Sequence, residues 1–460
     1  MNTPELEAVI GLEVHVQLAT RTKMFCGCPL SFGDPPNVHT CPVCLALPGA
    51  LPVLNGRAVH YGVMVGLALG CDIAERSIFA RKQYFYPDNP KAYQISQYET
   101  PLCTGGHLGG VDITRVHLEE DAAKLVHIGT SGRIHGADAS IVDFNRGGTP
   151  LIEIVTEPDL RSAAQAREWL MLLRSTLRQL GVSDVNMDEG SLRADANVSV
   201  RPAGTDALGT KTELKNMNSF RFLERGIEAE LQRQRERIAS GAEVQQETLH
   251  FDPQSGTLTP LRSKEEAQDY RYFPEPDLVP LEPAAELVER LRGDLPELPS
   301  ARVRRLESEV GFVLAEGLVT SGRDELYSRI PGERAGVANV VMNELAAIGL
   351  DPSAVNAEEL GKVIAARGEI PRGAFAEALA ESASPGFSAD RYLAEAAIAD
   401  VGELDPVIDR ILSANESQVE AYRGGKEGLL GFFVGQVMKE TGGKANPKIV
   451  NERLREKLRG

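Results

Sequence analysis

Between Val9 and Leu18 the chain reads VIGLEVHVQL, and once the glycine is passed its residues alternate without interruption. Leu12, Val14, Val16 and Leu18 fall on one side of an extended segment, and Glu13, His15 and Gln17 on the other. A period of two over this length defines a half-buried strand. Its polar side carries a carboxylate and an imidazole about 6.6 to 6.8 Å apart along one ridge, and both groups suit a metal or phosphate site. A solvated strand face is an equally valid reading of this stretch alone.

Directly downstream, TKMFCGCPLSFGDPPNVHTCPVCLALPG places Cys26, Cys28, Cys41 and Cys44 in the pattern C-x-C-x12-C-x2-C. Two close cysteine pairs separated by a loop with Gly33, Pro35 and Pro36 can bring four thiolates to a tetrahedral Zn2+. With all four corners filled by protein, such a site is closed and structural. Four reduced cysteines are the alternative.

Further polar motifs follow. RKQYFYPDNPKAYQISQYE, from Arg81, mixes tyrosines with Arg81, Lys82 and Lys91, and reads either as an aromatic-stabilised proline turn or as a surface that stacks on bases and meets phosphates. VDITRVHLEEDAAK is strand-like and ends in Glu119, Glu120 and Asp121, three adjacent carboxylates that repel unless solvent or a cation shields them. In DFNRGGTPLIEIV, Asn145 and Arg146 precede a sharp two-glycine turn, and Glu153 sits among apolar neighbours on a strand, where it wants a partner. EGSLRADANVSVR alternates again, with Arg193, Asp195, Asn197, Ser199 and Arg201 on its polar face; TKTELKN puts Lys211, Glu213 and Lys215 on one face. Helical spacing runs from Ala166 to Leu180 after Ser162, and a long helix follows a Ser219 cap.

A chain of 460 residues exceeds one core, and composition shifts near Pro280 toward alanine, leucine, glutamate and arginine. We expect an α+β protein: a strand-rich cradle with a structural zinc site over 1–292 (kinase-like in what the resemblance described below implies), an all-helical domain over 293–404, and a small helical basic tail over 405–460. From Arg423 onward nine Lys or Arg stand against four Glu, although the whole chain carries a net charge of -17. That overall charge argues against indiscriminate nucleic-acid binding, while a locally basic tail can still grip an RNA backbone. The start has no basic leader and no apolar run approaches 18 residues, so neither a secretory signal nor a membrane span is expected, and the cytoplasm is the default compartment. A G-x4-G-K-[ST] phosphate loop is lacking.

IGLEVHVQL, the four cysteines, RKQYFYPDNPKAYQISQYE, HLEEDAAK, DFNRGGTPLIEIV, EGSLRADANVSVR, TELKNMNSF and RSKEEAQDYRYFPEPDL resemble successive blocks of the B-subunit family of bacterial aspartyl/glutamyl-tRNA(Asn/Gln) amidotransferases. The blocks cover residues 9 to 279, and GFFVGQVMKETGGKANP is similar to the family's C-terminal tRNA-contacting module. The resemblance implies a carbon–nitrogen ligase with glutamine as amido donor. A partner amidase (A) subunit, in a heterotrimer completed by a small (C) subunit, would hydrolyse glutamine to ammonia. This chain would use ATP to phosphorylate the side-chain carboxylate of Glu or Asp misacylated on tRNA(Gln) or tRNA(Asn), and ammonia would displace the phosphate. The implied partners also include the non-discriminating aminoacyl-tRNA synthetase.

Carried over position by position, the resemblance gives Glu13, His15, Glu120 and Glu153 catalytic roles. It assigns Mg2+ to Glu13, His15, Glu119 and Glu120, phosphate or nucleotide contacts to Lys82, Asn145 and Arg146, and the aminoacyl end to Asp195, Asn197 and Lys215. Lys426, Lys439, Lys444 and Lys448 are its tRNA-tail residues. A rival reading from another class is a non-catalytic, zinc-stabilised tRNA-binding protein whose partner does all the chemistry.

Overall fold

In a computed structural model of the chain, which describes residues 5–31, 33–128, 137–262, 270–394, 401–442 and 445–459, the alternating segment forms β1 (Leu6–Gln17). It lies in the middle of a sheet rather than at an edge. β1 pairs antiparallel with β10 (Pro150–Thr156) on one side and with β11 (Leu192–Pro202) on the other, in a register that sets His15 opposite both Glu153 and Arg193. Beyond β10 comes β7 (Val111–Glu120), with β5 (Cys103–Thr104) and β2 (Asp72–Ile73) after it and β6 (His107–Leu108) alongside. Beyond β11 come β12 (Thr212–Met217), β13 (Thr248–Asp252) and β14 (Thr257–Arg262). A three-stranded sheet, β15 (Phe273–Pro274), β3 (Phe79–Gln83) and β4 (Tyr93–Gln97), and the hairpin β8 (Lys124–Ile128) and β9 (Ala139–Asp143) complete the strands among the described residues.

Directly opposed residues in neighbouring antiparallel strands point to the same side, so the register sorts the main sheet into two chemically distinct faces. Leu12, Val14, Val16, Ile152, Ile154, Val116, Leu118, Ala196 and Leu214 form an apolar face that is all but inaccessible. It is covered by α1 (Gly56–Ala68), α2 (Ala163–Gln179) and α3 (Phe220–Ala239). Ser162 and Ser219 cap α2 and α3, each accepting a hydrogen bond from a backbone N–H three residues on, as expected for an N-cap. On α1, Gly62 is required by close approach: a Cβ there would stand 2.6 Å from a Leu102 methyl. The tyrosine-rich stretch from Arg81 forms most of the β3–β4 hairpin, with Pro87 and Pro90 in its connection and Phe79 and Ile95 buried in the apolar core.

The contacts divide the chain into one unit over residues 1–300 and another over 301–460. The second is helical and contains two separate apolar clusters, one around Tyr327, Leu360 and Phe375 and one around Ile408, Phe433, Val450 and Leu454. A mixed α+β unit with a large sheet followed by helical structure is thus the architecture. No helix among the described residues is long and apolar enough to cross a membrane.

Candidate active site

The other face of the main sheet is polar, and its centre is buried. Register brings together Glu13 and His15 of β1, Glu153 of β10, His117 and Glu119 of β7, and Asp195 of β11. His15 Nε2 lies 3.3 Å from Glu153 Oε2, 3.6 Å from Glu13 Oε1 and 3.7 Å from Glu119 Oε1. His117 Nε2 reaches Glu153 at 3.5 Å and Glu119 at 3.7 Å, and Arg115 Nη2 contacts Glu153 Oε1 at 3.1 Å. Ligand atoms of His15, Glu119 and Glu153 lie within 4.8 Å of one another, and the same holds for Glu13, His15 and Asp195, so His15 is shared by two potential metal triads.

Electrostatics divides these carboxylates. Burial alone would raise the pKa of both Glu119 and Glu153, but His117, His15 and Lys82 outweigh it and hold both below the ordinary carboxylate range. Glu13 goes the other way, raised by burial and by the neighbouring Glu153 charge. Burial works against a proton on His15, yet Glu153 and Glu119 overcome it and raise its pKa. Two buried carboxylates kept ionised beside a third that is pushed toward its proton form a donor set that fits a divalent cation.

A cavity of about 720 Å³ opens over this face, lined by His15, Lys82, Glu119, Asp195 and Lys215 together with Tyr84, Asp121 and Arg193. Lys82, on β3, lies 5.0 Å from the Tyr270 ring centroid; burial opposes its charge, but Glu119 and Tyr272 override that and raise its pKa. Lys215 on β12 is held by Asp195 at 2.9 Å and Glu213 at 3.0 Å. Asp121, buried at the rim, accepts from Arg146 Nε and Nη2 at 2.9 and 2.7 Å, Arg193 Nη2 at 3.0 Å and Gln17 Nε2 at 2.9 Å.

Two expected site residues are placed elsewhere. Glu120 is on the opposite side of β7 from Glu119: Lys91 Nζ lies 2.5 Å from its carboxylate and the Ile95 N–H donates to it at 3.1 Å. The acidic residue of this pair that stands with His15 and Glu153 is therefore Glu119, not Glu120. Asn145 is engaged with the cysteine loop, its Oδ1 accepting from the His39 N–H and its Nδ2 donating to the Pro35 carbonyl, both at 2.8 Å. Arg146 reaches the cavity rim only as the clamp on Asp121, and Asn197 lies further along the β11 face, opposite Gly11. In the tail, Lys426, Lys439 and Lys448 are exposed, while Lys444 lies outside the described residues. The sequence reading did not single out His117 as a site residue; its signal was there, two positions before Glu119 on the same strand face.

Because Glu120 is buried and Lys91 is largely so, Glu120→Ala should leave a mostly desolvated cation uncompensated. The expected cost is about 3 to 5 kcal/mol of stability, readable as a lowered denaturation midpoint; a loss below about 1 kcal/mol, the level of a solvent-exposed pair, would contradict this placement.

The four cysteines of the loop after β1 form the second cluster, their sulfurs all within 4.8 Å of one another. Their thiols respond unevenly to crowding: the hydrogen bond from Cys26 pulls the Cys44 thiol down to about 4, with the Lys23 ammonium contributing, whereas Cys28 is pushed up to about 11 by burial. Four converging sulfurs of which only some ionise unaided suit a cation that would ionise them all.

A buried acidic and imidazole centre on one face of an antiparallel sheet, beside a four-thiol cluster and ahead of helical structure, matches a known class of catalytic domain. The family model described as GatB/GatE catalytic domain matches residues 8–289, and that described as GatB domain matches residues 329–458. Over 99% of this chain and 100% of the relative, the chain is 49% identical to the B subunit of the aspartyl/glutamyl-tRNA(Asn/Gln) amidotransferase of Moorella thermoacetica. It is 50% identical to that of Anaeromyxobacter dehalogenans (strain 2CP-1) over the full length of both, and 48% identical to that of Geobacter sulfurreducens over 99% of each. The chain belongs to the B-subunit family of these amidotransferases, glutamine-dependent carbon–nitrogen ligases of translation.

Proposed function

We propose that this chain carries out the ATP-dependent activation of the side-chain carboxylate of Glu or Asp misacylated on tRNA(Gln) or tRNA(Asn). The observation that supports this most directly is the convergence of His15, Glu119 and Glu153, with Glu13 and Asp195 adjoining, under a cavity rimmed by Lys82, Lys215 and Arg193. Bound Mg2+ and ATP would supply the phosphoryl group and the neutralisation its transfer needs. In this reading Glu119, Glu153 and His15 hold the cation, with Glu13 and Asp195 on its open side. Lys82, kept cationic by its acidic neighbours, meets phosphate oxygens. Lys215, fixed by Asp195 and Glu213, faces the substrate carboxylate, and Arg193, fixed by Asp121, meets its developing charge.

The chemistry requires such a site because a carboxylate is a poor acyl donor. Attack of its oxygen on the terminal phosphorus forms a C–O–P linkage and expels ADP; ammonia then adds at the acyl carbon and the C–O bond breaks, releasing phosphate and leaving Gln-tRNA(Gln) or Asn-tRNA(Asn). A partner amidase (A) subunit would generate the ammonia from glutamine, with the small (C) subunit completing the heterotrimer. The kinase-like cradle is the 1–292 segment in this account, and the four cysteines hold a structural Zn2+. The helical segment 293–404 and the basic tail 405–460, with Lys426, Lys439 and Lys448 exposed, reach the tRNA. The setting is the cytoplasm.

Terminally labelled ATP, Glu-tRNA(Gln) and the assembled subunits, with glutamine and ammonia withheld, should place label on the acid-precipitable acyl-tRNA fraction, and ammonia should chase it into free phosphate. Label that never joins the tRNA would leave only a non-catalytic tRNA-binding role, and ATP hydrolysis indifferent to misacylated tRNA would overturn activation of the acyl carboxylate.

A further inference from the structure

Lys23, five residues past the last position of the opening alternation, is wholly inaccessible to solvent. Among the described residues its ammonium has two partners, neither of them a carboxylate: it lies 3.5 Å from Cys44 Sγ and donates to the Phe144 carbonyl at 2.9 Å. An ammonium sealed from water against a thiol and a carbonyl is costly unless a neighbouring anion compensates it. The Cys44 sulfur, which Lys23 touches, is the nearest such anion as a thiolate, and coordination of a divalent cation would ionise the other three as well, for a net charge of about -2.

The same residue stands where two segments meet. Its own N–H donates to the Cys28 carbonyl at 3.0 Å, and the next N–H, of Met24, donates to the Gly148 carbonyl at 2.7 Å. Gly148 has φ +87°, and a Cβ there would stand 3.4 Å from Lys23 Cδ. Further along, Asn37 accepts from the Phe144 N–H at 2.7 Å, and Asn145 makes its two 2.8 Å bonds to His39 and Pro35. Residues 143–149 are therefore tied to the cysteine loop at both ends. Between the ties sits Arg146, whose guanidinium clamps Asp121, the carboxylate that also holds Arg193 at the cavity.

We propose that Lys23 is a positioning residue that couples the four-cysteine metal centre to residues 143–149, its ammonium balancing the metal-bound thiolates while its bond to Phe144 sets the loop that delivers Arg146 to Asp121. This rests on the reading of the cysteines as a Zn2+ site. On this account the metal centre braces one wall of the catalytic cavity, and disturbance at either end of the strap is felt at the other.

The test uses the zinc-loaded protein assembled with its partner subunits, and follows metal release to a coloured chelator at a temperature well below each variant's unfolding midpoint, where general loss of stability does not move the rate. Lys23→Met should release zinc about 10-fold faster or more, the range seen when a group supporting metal ligands is removed. Asn145→Ala, whose side chain touches no cysteine, should also release it severalfold faster. Both should raise KM for misacylated tRNA more than they lower kcat. If Lys23→Met does not accumulate as folded protein, Asn145→Ala carries the same test from the far end. Wild-type release rates in the folded variants, with one zinc per wild-type chain, overturn the coupling and leave the metal site standing; a wild-type chain that purifies with no stoichiometric zinc overturns both together.

Discussion

Glu119→Gln is expected to lower ATP turnover that depends on misacylated tRNA by more than about 100-fold, above the loss typical of weakening only the outer shell of a metal site, while tRNA affinity stays nearly constant. The argument is one of charge in a place water does not reach. Glu119 is 2% exposed and faces His15, His117 and the Lys82 side of the cavity. Glutamine preserves shape and one acceptor but removes the charge that, with Glu153, makes the face attractive to a divalent cation. The matched control is Glu120→Gln, one residue on, whose carboxylate faces Lys91 instead. That variant should lose stability rather than turnover measured on the folded fraction. Single-turnover rates with each variant at saturating Mg2+ decide the matter: a large defect at Glu120 with a normal rate at Glu119 would reverse the assignment.

Removing the proposed metal from the four-cysteine cluster should lower the thermal midpoint of the sheet-containing unit by about 5 to 8 °C. A ligand at about 1,000 times its dissociation constant stabilises the folded state by about 4 kcal/mol, and each kcal/mol moves the midpoint by about 2 °C or slightly less in a unit spanning residues 1–300. The four sulfurs come from the loop between β1 and α1, the first of them nine residues after β1 ends, and its described residues hold no named strand or helix. Its backbone is held by turn hydrogen bonds, such as Leu30 N–H to Arg21 and Leu45 N–H to Cys41, by side-chain ties, and by whatever the thiols bind. Cys44→Ser should reproduce the effect of a chelator, and the chelator should then have no further effect on that variant. A midpoint that stays within about 1 °C after complete zinc removal would show that the loop holds itself.

Much of this organisation was legible in the residues. Strict alternation fixed β1 and β11 and the composition of both their faces, and Ser162 and Ser219 marked the starts of α2 and α3. The placement of Glu120 at the site came from the resemblance, and the strand's alternation, which would have tested it, is interrupted. Val155 opposes Arg115 but the next residue, Thr156, opposes Ile113, so Thr114 is an extra residue in β7. A bulge of this kind reverses which alternate positions face the core. Before it the apolar side holds Val111 and Ile113; after it, Val116 and Leu118, with Glu120 next in that row. Counting by twos across the bulge misassigns the face. Likewise nothing adjacent in sequence marks Lys23, because its partners Cys44 and Phe144 reach it from 21 and 121 residues away.

The central placement of β1 has a consequence for how the chain is made. Its neighbours β10 and β11 lie well over a hundred residues downstream, with Leu6 finally opposite Pro202. At about 5 to 20 residues per second of synthesis, β1 waits on the order of ten to forty seconds for its second flank. Through most of that interval Leu12, Val14 and Val16 lack a completed sheet and have only α1, and later α2, to cover them, so the nascent segment is where chaperone binding is expected.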